Sequence, residues 1–245
     1  MNRLNQVLAS IIINAISVMQ NFPIVLVQTL LGPISFILLI TFVSKGSLLG
    51  VGILGGFIMV MAQSGIGLQG DLTHLKTDLR VQDMVVSSPT SAFIYLIGMA
   101  ISELIYSIPA LAVLTILAAF LLPLNAVSVM IIIIVMLLMF SFSIALGFML
   151  STFSSDIIES WGFSNILSMI LTTLPPVYYT ITLIPLPYRY LAYLSPTTYA
   201  AELVQNAAGF IVLSSQMIII DWIVLIGLTV LILVIAAKKS RWREV

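Results

Sequence analysis

An all-α integral membrane protein is the fold class this chain predicts, and three observations carry that prediction. Hydrophobic residues make up 61% of the 245 and charged residues 7%, against about 25% charge in a soluble domain. Most of the charge is gathered into short stretches. Between them lie apolar blocks of the ~20 residues that a bilayer-crossing helix needs, too long for barrel strands. Cutting the sequence at its charges and turn residues leaves six blocks: Pro23 to Val43, Ser47 to Leu68, Ser91 to Leu122, Asn125 to Phe153, Trp161 to Ile184, and Met217 to Ala237. The chain reads as a single transmembrane domain, residues 1–245.

Residues 1–22 precede the first block. Leu4, Val7, Leu8, Ile11, Ile12, Ala15 and Val18 recur at helical spacing, with Arg3, Gln6, Ser10, Asn14, Ser17 and Asn21 opposite. This is the pattern of a helix lying in the membrane interface. An extension of the first span is the alternative, and Pro23 argues for a break between the two. Arg3 is the sole charge here and no small-residue cleavage site follows, so a cleavable signal peptide is not expected. In the second block Gly50, Gly52, Gly55, Gly56, Gly65, Gly67 and Gly70 crowd together, and Gly52 and Gly56 form a GxxxG. Such a run predicts close helix packing and is only weakly specific for dimerisation.

Five of the eighteen charged residues, and the one histidine, fall between Asp71 and Asp83. The pattern predicts a short amphipathic helix over 71–86, capped by Asp71, with Leu72, Leu75, Leu79 and Val86 on one side. His74 and Asp78, and also Arg80 and Asp83, are spaced for side-chain contact. An ordinary solvated loop helix is the alternative. Leu104 to Ser155 then carries no charge and one plausible turn, Pro123-Leu-Asn125, so it predicts a hairpin of two spans. Glu103 lies inside the third block, where an ionised carboxylate costs about 2 to 3 kcal/mol or more. It must face protein or water: lining a path, binding a proton, pairing with another subunit, or bonding as a neutral acid between helices.

After the fifth block, Leu174 to Gly209 holds five prolines and six of the eight tyrosines. Such sequence cannot form one continuous helix, yet it is too apolar for a free loop. Short helices dipping into one leaflet are expected over 175–209, with tyrosine hydroxyls near the headgroups. Pro196 suits the first turn of one of them, and a plain interfacial belt is the alternative. Six spans starting inside place Arg3, Lys76, Arg80, Lys238, Lys239, Arg241 and Arg243 on the inner side and only Lys45 and Arg189 outside. That asymmetry predicts cytoplasmic termini and a cytoplasmic charged insert. Trp161, Trp222 and Trp242 fall at span ends, as an aromatic belt requires.

Nine basic residues balance nine acidic ones, so nucleic-acid binding is not expected. Zero cysteines and one histidine leave no ligand set for a structural zinc or an iron–sulfur cluster, so no metal is expected.

The order of these elements, over the whole chain, resembles the membrane subunit of type-2 ABC exporters, permeases that work with separate ATPase subunits. An interfacial N-terminal helix, two spans, a charged helix followed by Val86-Ser-Ser-Pro89, three spans, a proline-rich outer region and a last span ending in basic residues all match. The most specific element is Tyr193-Leu-Ser-Pro196-Thr-Thr-Tyr199-Ala, which resembles the family's proline and following aromatic before the last span. The glycine-phenylalanine-proline motif common upstream is absent, with Thr173-Leu-Pro175-Pro176 in its place.

The resemblance implies a coupling helix seated in an ATPase cleft, with Asp71, His74, Leu75, Lys76, Asp78, Leu79, Arg80 and Asp83 as contacts and Asp156 and Glu159 as secondary ones. It implies a path or gate involving Glu103, Tyr178, Tyr179, Pro196, Tyr199 and Glu202. It further implies a second permease chain as homodimer or heterodimer, two ATPase copies binding ATP and magnesium, residence in the cell membrane among its lipids, and a drug, lipid, peptide or polysaccharide as substrate. No GxxxxGK[S/T] loop occurs in this chain, so it is expected to be no enzyme by itself, hydrolysis falling to the partner. Two other classes were weighed against this: a secondary transporter or channel coupled through Glu103, and an intramembrane enzyme, for which the spans hold no nucleophile–base pair.

Overall fold

A computed structural model describes residues 3–22, 24–77, 92–154 and 156–239, and all the regular structure among them is helical. The amphipathic N-terminus forms α1 (Arg3–Ile11) and α2 (Ser17–Asn21), joined by a π-helical turn at Ile12–Ile16. Part of its polar stripe is turned toward the bundle. Ser10 packs against Gly98, where an added Cβ would stand 2.6 Å from it, and Leu4, Leu8 and Ile12 are exposed on the other side. Part of the apolar stripe therefore faces outward, while Ala15 of that stripe is fully buried and Asn21 of the polar stripe is exposed.

Next come α3 (Ile24–Val43), α4 (Leu49–Thr77), α5 (Ala92–Leu121) and α6 (Ala126–Ser151). Asn125 caps α6, its Oδ1 accepting from the Ser128 N–H at 2.8 Å. Asp156 caps α7 (Ile157–Ser168) in the same way, accepting from the Glu159 N–H at 2.7 Å. A π-helical turn at Met169–Thr173 ends that segment before Pro175 and Pro176. A 3₁₀ turn at Ile181–Leu183, then α8 (Leu186–Ala192) and α9 (Pro196–Ala207), lead to the final α10 (Ser215–Lys239).

Among the described residues, four helices are long and apolar enough to cross a membrane: Leu49–Leu75, Ile94–Leu121, Ala126–Ser151 and Ser215–Lys238. Thr29–Val43 within α3 is a shorter apolar helix. Two expectations need correction. The fifth block was placed at Trp161 to Ile184, but its helix starts at Ile157 because Asp156 caps it, and the π-turn ends at Thr173 because two prolines follow. The separate helix starting at Asp71 does not exist as such, because α4 runs unbroken from Leu49 to Thr77 and Asp71 sits inside it. The remainder of that stretch, including Asp78, Leu79, Arg80, Asp83 and Val86 to Pro89, lies outside the described residues, as does Trp242.

At the centre is α4, whose apolar window is 83% buried against 22%, 33% and 17% for the other three. It packs on α3, α5, α6, α7 and α9, and its glycines make this crowding feasible. Gly65 and Gly147 bring α4 and α6 into backbone contact: a Cβ on Gly65 would lie 1.9 Å from the Ser143 carbonyl carbon, and one on Gly147 1.8 Å from the Gly65 oxygen. Ser143 fastens the crossing by donating to the Met61 carbonyl at 2.7 Å. Gly52 and Gly56 meet Ile40, Ile37 and Leu114 of the same chain, so the GxxxG serves internal packing.

Since backbone cannot yield as a side chain can, Gly65→Ala should cost about 1 to 3 kcal/mol, read as a lowered thermal unfolding midpoint in detergent. Gly227→Ala, where nothing lies within 4 Å, should leave the midpoint unchanged. Equal midpoints for the two variants would contradict the crossing.

Candidate functional site

Two polar regions occupy opposite ends of the bundle. At the α1 end a cavity of about 770 Å³ opens between the N-terminal helix, α3, α4 and α5. Its apolar wall includes Ile13, Val18, Val60 and Met99, and its polar groups include Asn14, Gln63, Ser64, Asp71, Glu103 and Tyr106. Helical geometry delivers these groups, since Ser64, Gly67, Asp71 and His74 follow one face of α4 at three- and four-residue steps. On α5, Glu103, Tyr106 and Ser107 do likewise.

Glu103 is 6% exposed and its carboxyl is hydrogen bonded to that of Asp71. Gly67 gives it room, because a Cβ there would stand 3.2 Å from Oε2. Beneath the pair, the Ser64 and Ser107 hydroxyls meet at 2.7 Å, and Ser107 donates to the Glu103 carbonyl at 2.9 Å. The Tyr106 hydroxyl donates to the Asn14 carbonyl inside the π-turn, which fixes the N-terminal helix over the cavity. His74 lies one turn beyond Asp71 and interacts with it electrostatically.

Close by, Gln69 is fully buried and holds the start of α7. Its Nε2 donates to Ser154 Oγ at 3.3 Å and to the Ser160 carbonyl at 3.4 Å, and its Oε1 accepts from Ser164 at 3.4 Å. The exposed Asp156 and Glu159 sit on the turn that this knot positions.

At the other end, residues 174–209 fold back onto the bundle. Val177 rests on Gly55, whose added Cβ would be 2.3 Å from the Val177 oxygen. Tyr178 is buried, stacked on Phe36 with centroids 5.0 Å apart, and its hydroxyl meets the Met59 sulfur. Gln205 ties this segment to α9, its Nε2 donating to the carbonyls of Pro176 and Tyr179 at 3.3 Å each. Arg189 braces the following turn through the carbonyls of Ile184 and Thr182 at 2.7 and 2.9 Å.

Pro196 starts α9, the Tyr193 hydroxyl donates to Glu202 Oε1 at 3.1 Å, and the Tyr199 hydroxyl donates to the Tyr193 carbonyl at 2.8 Å. Burial pushes the Glu202 carboxyl above the ordinary range, and the Tyr193 hydrogen bond opposes it. Asp221 of α10 stands beside Glu202, buried, with Oδ2 unpartnered among the described residues.

Among the expected gate residues, Tyr178, Pro196 and Glu202 are thus buried struts of the folded-back segment, with Tyr179 and Tyr199 half-buried at its edge. Glu103 is separate from them and belongs to the cavity. Asp71, an exposed residue of α4, joins it in the lining. Sequence reasoning missed Gln69, Gln205 and Asp221. Gln69 carried a signal, being an amide inside a glycine-rich apolar block, and the other two sit among residues that read as span or belt.

A family model described as ABC-2 type transporter matches residues 5–208, from α1 through the end of α9. The chain belongs to the ABC-2 type transporter family. No curated relative matches it. It is the transmembrane component of an ABC-2 type transporter, a multi-pass membrane protein, and members of the family generally pair with ATPase subunits and dimerise.

In this transporter the Gln205 tether makes a specific demand. Gln205→Leu keeps the volume but strips two carbonyls of their donor, at a cost of about 1 to 3 kcal/mol. The unfolding midpoint should fall and protease should cut within residues 174–185 faster in reconstituted vesicles. An unchanged midpoint and cleavage rate would remove the tether from the account.

Proposed function

We propose that this chain is one half of the translocation pathway of a cell-membrane exporter driven by a separate ATPase subunit. Six crossings make up that half: the four long apolar helices, together with α3 and the segment from α7 through its π-turn. Both termini and the charged residues after Leu75 lie in the cytoplasm, where Lys76, Asp78, Leu79, Arg80 and Asp83 form the main contact with the ATPase. Asp156 and Glu159 add to it from the neighbouring turn. ATP and magnesium bind on the partner, two copies of which serve two permease chains.

The single observation that carries this reading is the polarity of the bundle. At one end α4 reaches Thr77, where the charged sequence continues, and Gln69 of α4 holds the turn that carries the exposed Asp156 and Glu159, and at the other end residues 174–209 fold back as a cover. A force applied at the first end and a gate at the second is the division of labour that an ATP-driven exporter needs. The cover would form the outer gate, moving as α9 shifts against α10.

A secondary transporter or channel coupled through Glu103 is the second reading, and the carboxyl pair of Glu103 with Asp71 is what favours it. Substrate flux in vesicles holding the permease alone, driven by an ion gradient, would select that reading.

Affinity purification of the tagged chain in mild detergent should bring down a nucleotide-binding ATPase. Asp78→Lys combined with Arg80→Glu should release at least nine-tenths of it while membrane insertion is kept, read by quantitative co-purification. Undiminished capture by that double variant would refute the docking role of the stretch, and reproducible absence of any ATPase would refute the exporter.

A further inference from the structure

We infer that the cavity between the N-terminal helix, α3, α4 and α5 is a binding site for a lipophilic organic cation, an apolar molecule bearing one quaternary or protonated centre held between Asp71 and Glu103. This deepens the exporter reading, on which it rests only for calling the ligand a substrate.

Size is the first argument. The cavity's volume of about 770 Å³ falls in the ~300 to 1,000 Å³ range of drug-sized pockets. An inorganic ion would leave nearly all of it unfilled. It would also require about six oxygen ligands, and no cluster of three or more acidic or histidine ligands exists among the described residues.

Charge is the second. Asp71 and Glu103 line the cavity together with His74, and no lysine or arginine is among the described residues lining it. Two carboxyls in hydrogen-bond contact hold a shared proton or a cation between them. A ligand cation entering the cavity replaces that proton, and the tenfold-or-greater preference such a pair gives a cation over an isosteric anion is what the site would select on.

The wall is the third. Met99, Val60, Ile13 and Val18 offer apolar contact, and Tyr106 and Phe22 add aromatic rings to the lining, a group type to which cations are attracted. Gly67 adds a built feature, because its missing Cβ is what leaves the Glu103 carboxyl its position at the wall. The N-terminal helix closes one side through its π-turn, a helical irregularity that recurs at functional sites. Asn14 of that turn lines the cavity while Tyr106 holds its backbone.

The test uses the full chain in lipid nanodiscs without an ATPase, with tetraphenylphosphonium as the probe and tetraphenylborate as an anion of the same shape. Saturable tetraphenylphosphonium binding above empty discs is expected, near one per chain, with tetraphenylborate at least tenfold weaker. Glu103→Gln and Asp71→Asn should each weaken the cation at least tenfold, and Gly227→Ala should leave it unchanged.

Equal binding of the two probes to the unaltered chain, or no saturable cation binding, overturns the proposal whether or not the acid variants fold. Acid variants that fold and bind within twofold of the unaltered chain overturn it too. Because the measurement needs no ATPase, its failure leaves the co-purification result standing, and loss of the ATPase would leave cation binding intact.

Discussion

The backbone contact between α4 and α6 at Gly65 and Gly147 is the constraint on which the rest of the bundle depends. A helix enclosed by five neighbours has no lipid-facing side, so it gains nothing from bulk and much from closeness. Lipid tails are as apolar as leucine, and association inside a membrane therefore rests on packing and on hydrogen bonds. Where a Cβ would fall within 2 Å of the facing backbone, the two helices have reached the limit of approach. Ser143 then donates across to Met61 at 2.7 Å, a bond available only at that separation. Both polar regions are arranged around this crossing. Gln69 lies one turn past Gly65 toward the cavity end, and Gly55 lies nearly three turns before it, beneath the folded-back segment.

Polar side chains inside such a bundle must find partners, because no water reaches them. Most here do so within one turn: Ser64 donates to the Val60 carbonyl, Thr73 to Gln69, Ser102 to Gly98 and Thr229 to Leu225. These bonds satisfy the hydroxyl without specifying a neighbour. The amides and acids are different. Gln69 joins α4 to α7, Gln205 joins α9 to the irregular segment, and Glu103 meets Asp71 across α4 and α5. Long polar side chains thus hold separate elements together, as do the hydroxyls of Ser143 and of the Ser64–Ser107 pair.

Hydropathy made the lipid-facing helices legible. The expected limits of the third, fourth and last spans fall within two residues of α5, α6 and α10, because lipid imposes the apolar run that defines them. The fourth began at Asn125 in both accounts, since its side chain caps the helix. What misled was treating charge as a boundary. Asp71 read as the start of a new helix because a carboxylate in an apolar chain suggests water. Yet nothing in the backbone stops α4 there, and Glu103 supplies a partner that one sequence cannot reveal across 31 intervening positions. The fifth segment had a local signal in Asp156-Ile-Ile-Glu159, where an acid at the cap and another at the third position favour a helix start. Apolar content alone outweighed it. Asp221 had no such signal, since its neighbour Trp222 and the following isoleucines read as belt and span.

Relocating Asp71 alters how the two ends of α4 are related. A separate docking helix would join the span through a hinge, and motion of an ATPase would be spent partly in bending it. A continuous α4, with no proline in its 29 residues, places Gly67 and Asp71 on the same rigid rod as its end at Thr77. Displacing that end of α4 must then move Asp71 relative to Glu103, since Glu103 is carried by α5 and α5 is tied to the N-terminal helix through Tyr106. Two carboxyls in hydrogen-bond contact respond steeply to such a shift, because the pair holds a cation well only at close range. A sliding α4 would open or close the acid pair directly, and it would have to exchange the Ser143 bond to the Met61 carbonyl at the α6 crossing as it moved.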